Sequence, residues 1–321
     1  MKNINALAVI AVVLQLSLVA CGADMPEAKL TVRVTDSSGE LLADAEAGAF
    51  FPHVYGAGSP VKGDSVKVRT NIDGVAVLNG KFAGTVGGGV EAKGFYRTQF
   101  EEIDFPDMLN RGEALQAERT VILKEIKNPI PLYARQLRHV KIPDFNAPFG
   151  FDLEAGDWVA PHGKGKITDM IFQISGTHKS YREHDLTLEI SFPNEGDGLV
   201  MFEGAYEVGS AFRSDHLAPE SGYKPSLVVR RKALYEQKSS QWLNDSKPGS
   251  NYYLRTRTKL DEKGNVIRAN YGKIYGNFEF LDFIKTEACY FNPIVNDRNV
   301  EFDTKRNLAE PKTPREQVRM P

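Results

Sequence analysis

Leu30-Thr31-Val32-Arg33-Val34-Thr35 alternates apolar and polar residues without a break, and Asp36-Ser37-Ser38-Gly39 follows it directly. Alternation of period two is the pattern of a half-buried strand. The four residues after it form a turn, because Asp can bond its own backbone and Gly accepts positive φ. The same unit recurs down the chain. Val66-Lys67-Val68-Arg69-Thr70 alternates, Asn71-Ile72-Asp73-Gly74 turns and Val75-Ala76-Val77-Leu78 resumes; Val90–Phe95 and Thr120–Leu123 complete the set. Short strands at this spacing predict a small β-sandwich. One short helix is expected in the insert Asp104–Glu118, where Met108, Leu109, Ala114 and Leu115 are apolar. Asn71 and Asp73 do not open a calcium loop, which closes on a Glu where this chain has Phe82. A hairpin turn is expected there.

These residues resemble the carboxypeptidase regulatory-like, or transthyretin-like, domain. The resemblance rests on Asp36-Ser37-Ser38-Gly39, Ala45, Thr70-Asn71-Ile72-Asp73-Gly74 and Val90-Glu91-Ala92-Lys93-Gly94-Phe95, and it covers residues 29–124. Leu41 stands in the family's proline slot, Asp44 in a glycine slot, Asn71 for Asp and Phe95 for Tyr. The resemblance implies a seven-stranded β-sandwich serving as a non-catalytic spacer or surface module.

Asn128-Pro129-Ile130-Pro131 is expected as a stiff, extended joint. Beyond it Asp185–Phe192 alternates, with Leu186, Leu188, Ile190 and Phe192 on one face. Tyr252–Lys259 alternates again, and Asp261-Glu262-Lys263-Gly264-Asn265 signals a hairpin into Val266–Tyr275. Gly272 and Gly276 mark bulges or close backbone approaches. Leu227–Trp242 carries a partial 3.6-residue stripe (Val228, Arg231, Leu234, Tyr235, Lys238) and is the helix expected in this region. The fold class expected is therefore mainly β. A seven-stranded sandwich over 29–124 precedes an antiparallel β-rich domain with about one helix over 125–308. Residues 309–321, with Pro311 and Pro314, read as a flexible tail.

The start of the chain is of another kind. Lys2 precedes the apolar run Ala6–Ala20, broken only by Gln15 and Ser17, which closes as Leu18-Val19-Ala20-Cys21. Such a run describes a secretory signal over 1–20 rather than a membrane span, which needs about 20 apolar residues. Its ending is similar to the lipobox of bacterial lipoproteins; an ordinary cleaved signal with an incidental cysteine is the competing reading. The resemblance implies a diacylglyceryl thioether and an acylated amino terminus at Cys21, a tether over 21–28, and the membrane as a partner reached through lipid. Two or more acyl chains hold a protein stably where one does not. Gly22, not Asp, follows the cysteine, which by analogy points to the outer membrane of the cell envelope.

Forty Lys and Arg stand against 42 Asp and Glu in 321 residues, and loss of 1–20 removes only Lys2. Balanced, interspersed charge argues against a nucleic-acid partner, which demands a basic face. With Cys21 acylated, Cys289 in Ala288-Cys289-Tyr290-Phe291 is expected as a buried, inert thiol.

No cofactor and no metal site is expected. None of His53, His139, His162, His178, His184 and His216 opens a zinc-peptidase run. His178 and His184 would lie about 20 Å apart along one strand at roughly 3.3 Å per residue. Only a tight turn would bring them to one metal, and polar hairpin-tip positions are the plainer reading. There is neither a Gly-x-Ser-x-Gly elbow nor a phosphate loop, and His162–Lys166 reads as a mobile turn. Carboxylate pairs for glycosidic acid–base work need geometry to be picked out. The remaining candidates are aromatic. Trp158, Trp242, Tyr271 and Tyr275 are the expected ligand-binding residues, since exposed rings stack on sugars or grip a partner chain; packing within the core is the plainer alternative. The function expected is that of a lipid-anchored envelope protein, non-enzymatic, binding or scaffolding a protein or glycan. The alternative is an envelope hydrolase acting on glycans, with carboxylate acid and base in the C-terminal domain.

Overall fold

The computed structural model describes residues 25–54, 62–137, 140–204, 208–235, 240–310 and 314–321. The expected signal, the lipobox with Cys21, and His139 lie outside the described residues. Among the described residues, no helix is long and apolar enough to cross a membrane.

Seven strands build the N-terminal sandwich: β1 (Glu27–Asp36), β2 (Glu46–Pro52), β3 (Gly63–Arg69), β4 (Val75–Lys81), β5 (Val86–Glu91), β6 (Thr98–Ile103) and β7 (Gln116–Leu123). One sheet has the order β4-β1-β7, antiparallel then parallel, and the other contains β6-β5-β2-β3. Alternation in β1 buries Leu30, Val32 and Val34 completely, in one core with Ala47, Phe51, Val90 and Phe100 of the opposite sheet. The short helix falls in the expected insert as α1 (Phe105–Asn110), capped by Asp104, whose side chain accepts from the Asp107 N–H. Asn71–Gly74 is a turn held by Asn71 Oδ1, which accepts from the N–H groups of Asp73 and Val75. It closes no hairpin, however. β3 and β4 belong to different sheets, so this turn carries the chain across the sandwich.

The C-terminal region continues with β8 (Tyr133–Arg135), β9 (Val140–Lys141), β10 (Phe149–Asp152), β11 (Asp157–Trp158), β12 (Met170–Ser180), β13 (Glu183–Ser191), β14 (Gly198–Glu203) and β15 (Gly209–Ser210). It is completed by β16 (Ser226–Tyr235), β17 (Ser240–Asn244), β18 (Ser250–Leu260), β19 (Val266–Tyr275), β20 (Glu279–Phe280), β21 (Phe283–Lys285) and β22 (Ala288–Asn292). A six-stranded sheet, β11-β10-β12-β13-β16-β17, packs on a five-stranded one, β14-β18-β19-β22-β8. Phe149, Phe172, Ile174, Leu188 and Val229 from the first share a core with Tyr252, Leu254, Ile274 and Phe291 from the second. A small sheet, β20-β21-β9, adds Phe280 and Ile284 to the same core.

Two expectations are corrected here. Leu227–Trp242 is not a helix; it supplies β16 and the edge strand β17. Val229, Arg231 and Ala233 point inward and alternate with Val228, Arg230 and Lys232, and β16 pairs along the whole of β13. A period-two face matching an unpaired neighbouring strand outweighs a helical stripe that is only partial. Residues 314–321, expected as a free tail, fold back instead. Val318 is buried with Leu132, Tyr275 and Tyr290, and the Tyr290 hydroxyl donates to the Met320 carbonyl. The outer face of β19 and β22 is aromatic, and the tail removes it from water.

The two regions are joined by more than the proline segment. β15 pairs with β6, giving the N-terminal sheet a fifth strand from the C-terminal region. Glu301, almost fully buried, accepts the Tyr96 hydroxyl at 2.7 Å and the N–H groups of Lys127 and Asn128.

Candidate functional site

A trough of about 810 Å³ runs over the outer face of the five-stranded N-terminal sheet. Strand register explains its shape. Lys67, Gly48, Gly89, Gln99 and Gly209 form one cross-strand row over β3, β2, β5, β6 and β15, and Phe50 stands opposite Gly87 in the next. Three glycines in one row leave a low floor between polar walls. The walls carry two ion pairs, Lys67 with Glu46 at 2.5 Å and Arg97 with Glu91 at 3.4 Å, together with Glu102. The hydrogen bond from Lys67 holds the Glu46 carboxyl below the usual carboxylate range. Phe50, partly exposed, is the aromatic ring at this surface.

The glycines are not equivalent. A Cβ on Gly88 would lie 2.2 Å from the Gly48 carbonyl and 2.5 Å from Phe100 Cζ, so packing forbids a side chain there. On Gly48 it would meet Lys67 Cγ at 3.7 Å and the Val66 carbonyl at 3.8 Å, and on Gly87 the Glu102 side chain, nearest at Cγ 3.4 Å, all ordinary contacts. Neither residue has a positive φ. Glycine inside a strand costs roughly 0.5–1 kcal/mol relative to Ala, so at these two positions it is kept open without a packing reason. The sequence did carry a signal for this site, the unusual Gly87-Gly88-Gly89 inside a strand; it lacked any means to say which glycine faces solvent.

None of the four expected aromatic residues lines this trough, and three of them are buried. Trp158 is buried, its ring edge-on to Phe149 at 4.7 Å and Phe151 at 5.1 Å, with Nε1 donating to the Lys141 carbonyl. Tyr271 packs with Tyr253, Ala269 and Val300. Tyr275 is fully buried, and its hydroxyl accepts from Lys273 Nζ at 2.8 Å. These rings are core material: Trp158 on β11 faces the core between the two sheets, and Tyr271 and Tyr275 lie on β19, in a sheet covered on both faces. Trp242 alone is half exposed, on edge strand β17 with the Arg231 guanidinium 5.7 Å from its ring centre.

Among the described residues, Asp152 and Asp169 come together around Arg257 in the C-terminal sandwich, and their acceptor positions are occupied. Asp169, fully buried, takes Arg257 Nε at 2.7 Å and Nη2 at 3.0 Å, together with the Leu153 N–H. Asp152 accepts four backbone N–H groups, from Glu154, Ala155, Lys166 and Ile167. Burial alone would raise the Asp152 carboxyl, but those backbone donors and Arg257 hold it below its ordinary value. The pair pins loops; the glycine-rich segment His162–Lys166, expected as mobile, is tied down by Asp152, which accepts the N–H groups of Lys166 and the following Ile167, and by Asp157, which accepts the Lys164 N–H. Cys289 is buried, and burial pushes its thiol up to about 12. Lys273 is buried among the rings of Phe212, Tyr275 and Tyr290, each 4.5–4.7 Å from Nζ, and donates to Ser214 Oγ at 3.3 Å.

No protein-family model matches the chain, and no curated protein matches it. One solved structure similar to it is a candidate carbohydrate binding protein from Bacteroides uniformis ATCC 8492, determined by crystallography at 2.00 Å resolution. Identity is 13%, the match covers 86% of this chain and 100% of that one, and the TM-score is 0.20. A TM-score of that size carries no argument about function.

Proposed function

We propose that this chain is a lipid-anchored protein of the bacterial cell envelope, held through Cys21, and that it binds a glycan in the trough over β2 and β5 without transforming it. The observation that carries the reading is the bare floor at Gly48 and Gly87, where a side chain fits and none is present. Charges on the walls are largely paired, so the surface offers hydrogen-bonding groups with little net field. That suits a hydroxyl-rich, uncharged chain better than a polyanion. Phe50 supplies one apolar face for a sugar ring. The resemblance of residues 29–124 to carboxypeptidase regulatory-like domains supports a binding module rather than a catalyst.

The test is calorimetric titration with envelope and host polysaccharides, wild type against Gly48→Val. Saturable binding lost in a folded variant is the expected result. Undiminished binding by that variant would move the ligand elsewhere, and capture of a protein in place of any glycan would overturn the ligand class. The anchor is tested separately: Cys21→Ala should shift the protein from the membrane pellet to the soluble fraction, and retention in the pellet would refute the lipid tether.

A further inference from the structure

The inward face of the six-stranded sheet is built in rows. Phe172, Ile190 and Leu227 form one, Ile174, Leu188 and Val229 the next, and Gly176, Leu186, Arg231 and Asn244 a third. The last row reads His178, His184, Ala233, Trp242. Alternation thus delivers two histidines to positions where the preceding rows place aliphatic and aromatic side chains. The β12–β13 turn makes them direct cross-strand partners, with ring centroids 6.5 Å apart. Both lie at the end of the hairpin, as expected, and the tight turn between β12 and β13 replaces the separation of about 20 Å that one continuous strand would impose. A bulge follows immediately, between His178 and Ser180, as bulges do where a strand re-aims its side chains.

The ring nitrogens divide cleanly. His184, 3% exposed, has Nδ1 3.3 Å from the Ser180 carbonyl. A carbonyl can only accept, so Nδ1 carries the proton and the neutral ring has its lone pair on Nε2. His178 Nδ1 faces Asp282 Oδ1 at 3.6 Å, and its ring stacks on Phe145. Both Nε2 atoms are buried, and neither has a hydrogen-bond partner. Buried polar atoms are rarely left unpaired, because an unmade bond there forfeits hydration with nothing in return. Two imidazoles whose Nδ1 sides are turned to oxygen while their Nε2 sides stay free form the pattern of metal-ligating histidines, in which outer oxygens fix tautomer and ring orientation.

We propose that His178 and His184 bind one divalent transition-metal ion of the zinc or nickel type on their Nε2 atoms, with Asp282 positioning His178. The spacing is compatible. With metal–nitrogen bonds of about 2.0–2.1 Å, a ring centroid lies roughly 3.2 Å from its ion. Two rings 6.5 Å apart stand just beyond the roughly 6.4 Å that one ion bridges in line, and closing by about 1.3 Å through χ rotation reaches a tetrahedral angle. Arg231, the cation of the adjacent row, is directed away by its bond to the Phe280 carbonyl and by the Trp242 ring. A bare two-histidine site leaves coordination positions open, so exchangeable binding is expected rather than a structural clamp.

The experiment titrates untagged, chelator-stripped protein with Zn²⁺ and Ni²⁺ by calorimetry and by thermal melting, with Co²⁺ absorption reporting nitrogen ligation. One ion per chain and a metal-dependent rise in Tm are expected. His178→Gln should weaken binding at least tenfold, whereas His162→Gln should not. His184→Leu restores the apolar row, so it should fold and melt at or above the wild-type apo temperature yet show no rise with metal. Absence of saturable binding by wild type, or an unchanged metal response in His184→Leu, overturns the assignment.

Discussion

Gly48→Val, Gly87→Val and Gly88→Val form a series in which the structure assigns opposite signs to neighbouring glycines. At Gly48 a new Cβ finds Lys67 Cγ at 3.7 Å and the Val66 carbonyl at 3.8 Å, both ordinary contacts, and the backbone is already extended without positive φ. Replacing a strand glycine there removes an entropic penalty of about 0.5–1 kcal/mol, and a β-branched residue suits a pleated surface on a scale spanning about 1 kcal/mol. Gly48→Val should therefore stabilise by about 1 kcal/mol, or about 2–4 °C in Tm for a chain of this size. Gly87→Val should behave alike, with Glu102 moving slightly from its 3.4 Å contact. Gly88→Val meets the Gly48 carbonyl at 2.2 Å and the Phe100 ring at 2.5 Å, an overpacking that costs about 1–3 kcal/mol or more. Urea denaturation with the slope held fixed reads the sign directly. Glycan binding should fall at least tenfold in the two stabilised variants, which is about 1.4 kcal/mol. If Gly48→Val destabilises as Gly88→Val does, the glycines serve packing and the trough loses its claim to be a site.

Further outcomes follow from the core and the buried charges. Trp158→Ala should cost about 3–5 kcal/mol in urea denaturation, against about 0.5 kcal/mol or less for the half-exposed Trp242→Ala; equal losses would contradict the two placements. Arg257→Leu strands Asp169 without its counter-ion and should cost about 3–5 kcal/mol, read by the same denaturation; a neutral effect would show that the pair holds nothing. Burial lowers the Lys273 ammonium well below its ordinary value, so over the alkaline approach to the unfolded value of 10.5 the unfolded chain binds more protons. Wild-type stability should accordingly rise with pH in that window relative to Lys273→Met, and parallel pH profiles would refute the lowered value. Cys289, its thiol raised to about 12, should resist iodoacetamide at neutral pH until the protein is unfolded, and rapid native labelling would be inconsistent with its burial.

Period-two runs were sufficient to place strands and their buried faces: Leu30, Val32 and Val34 in β1, and Leu186, Leu188 and Ile190 in β13, are each fully buried. The turns were equally legible, since Asp261 Oδ1 accepts the N–H groups of Lys263 and Asn265 within its own hairpin. In Leu227–Trp242 a partial helical stripe and a strand alternation coexist, and β13 alongside decides between them. The burial of Trp158, Tyr271 and Tyr275 is not legible in the sequence, because composition cannot tell a ring at a surface from a ring between sheets.

Local pattern thus determined a mainly β chain, its turns and the side of each strand that seeks the core, because steric and hydrophobic preferences act between residues close in sequence. Tertiary structure alone decided that β15 completes the N-terminal sheet, that Gly48 lies open while Gly88 is packed shut, and that His178 faces His184. Those outcomes depend on which strand lies across from which. Register between strands is set by long-range packing, and one residue of slip would turn every such side chain to the other face.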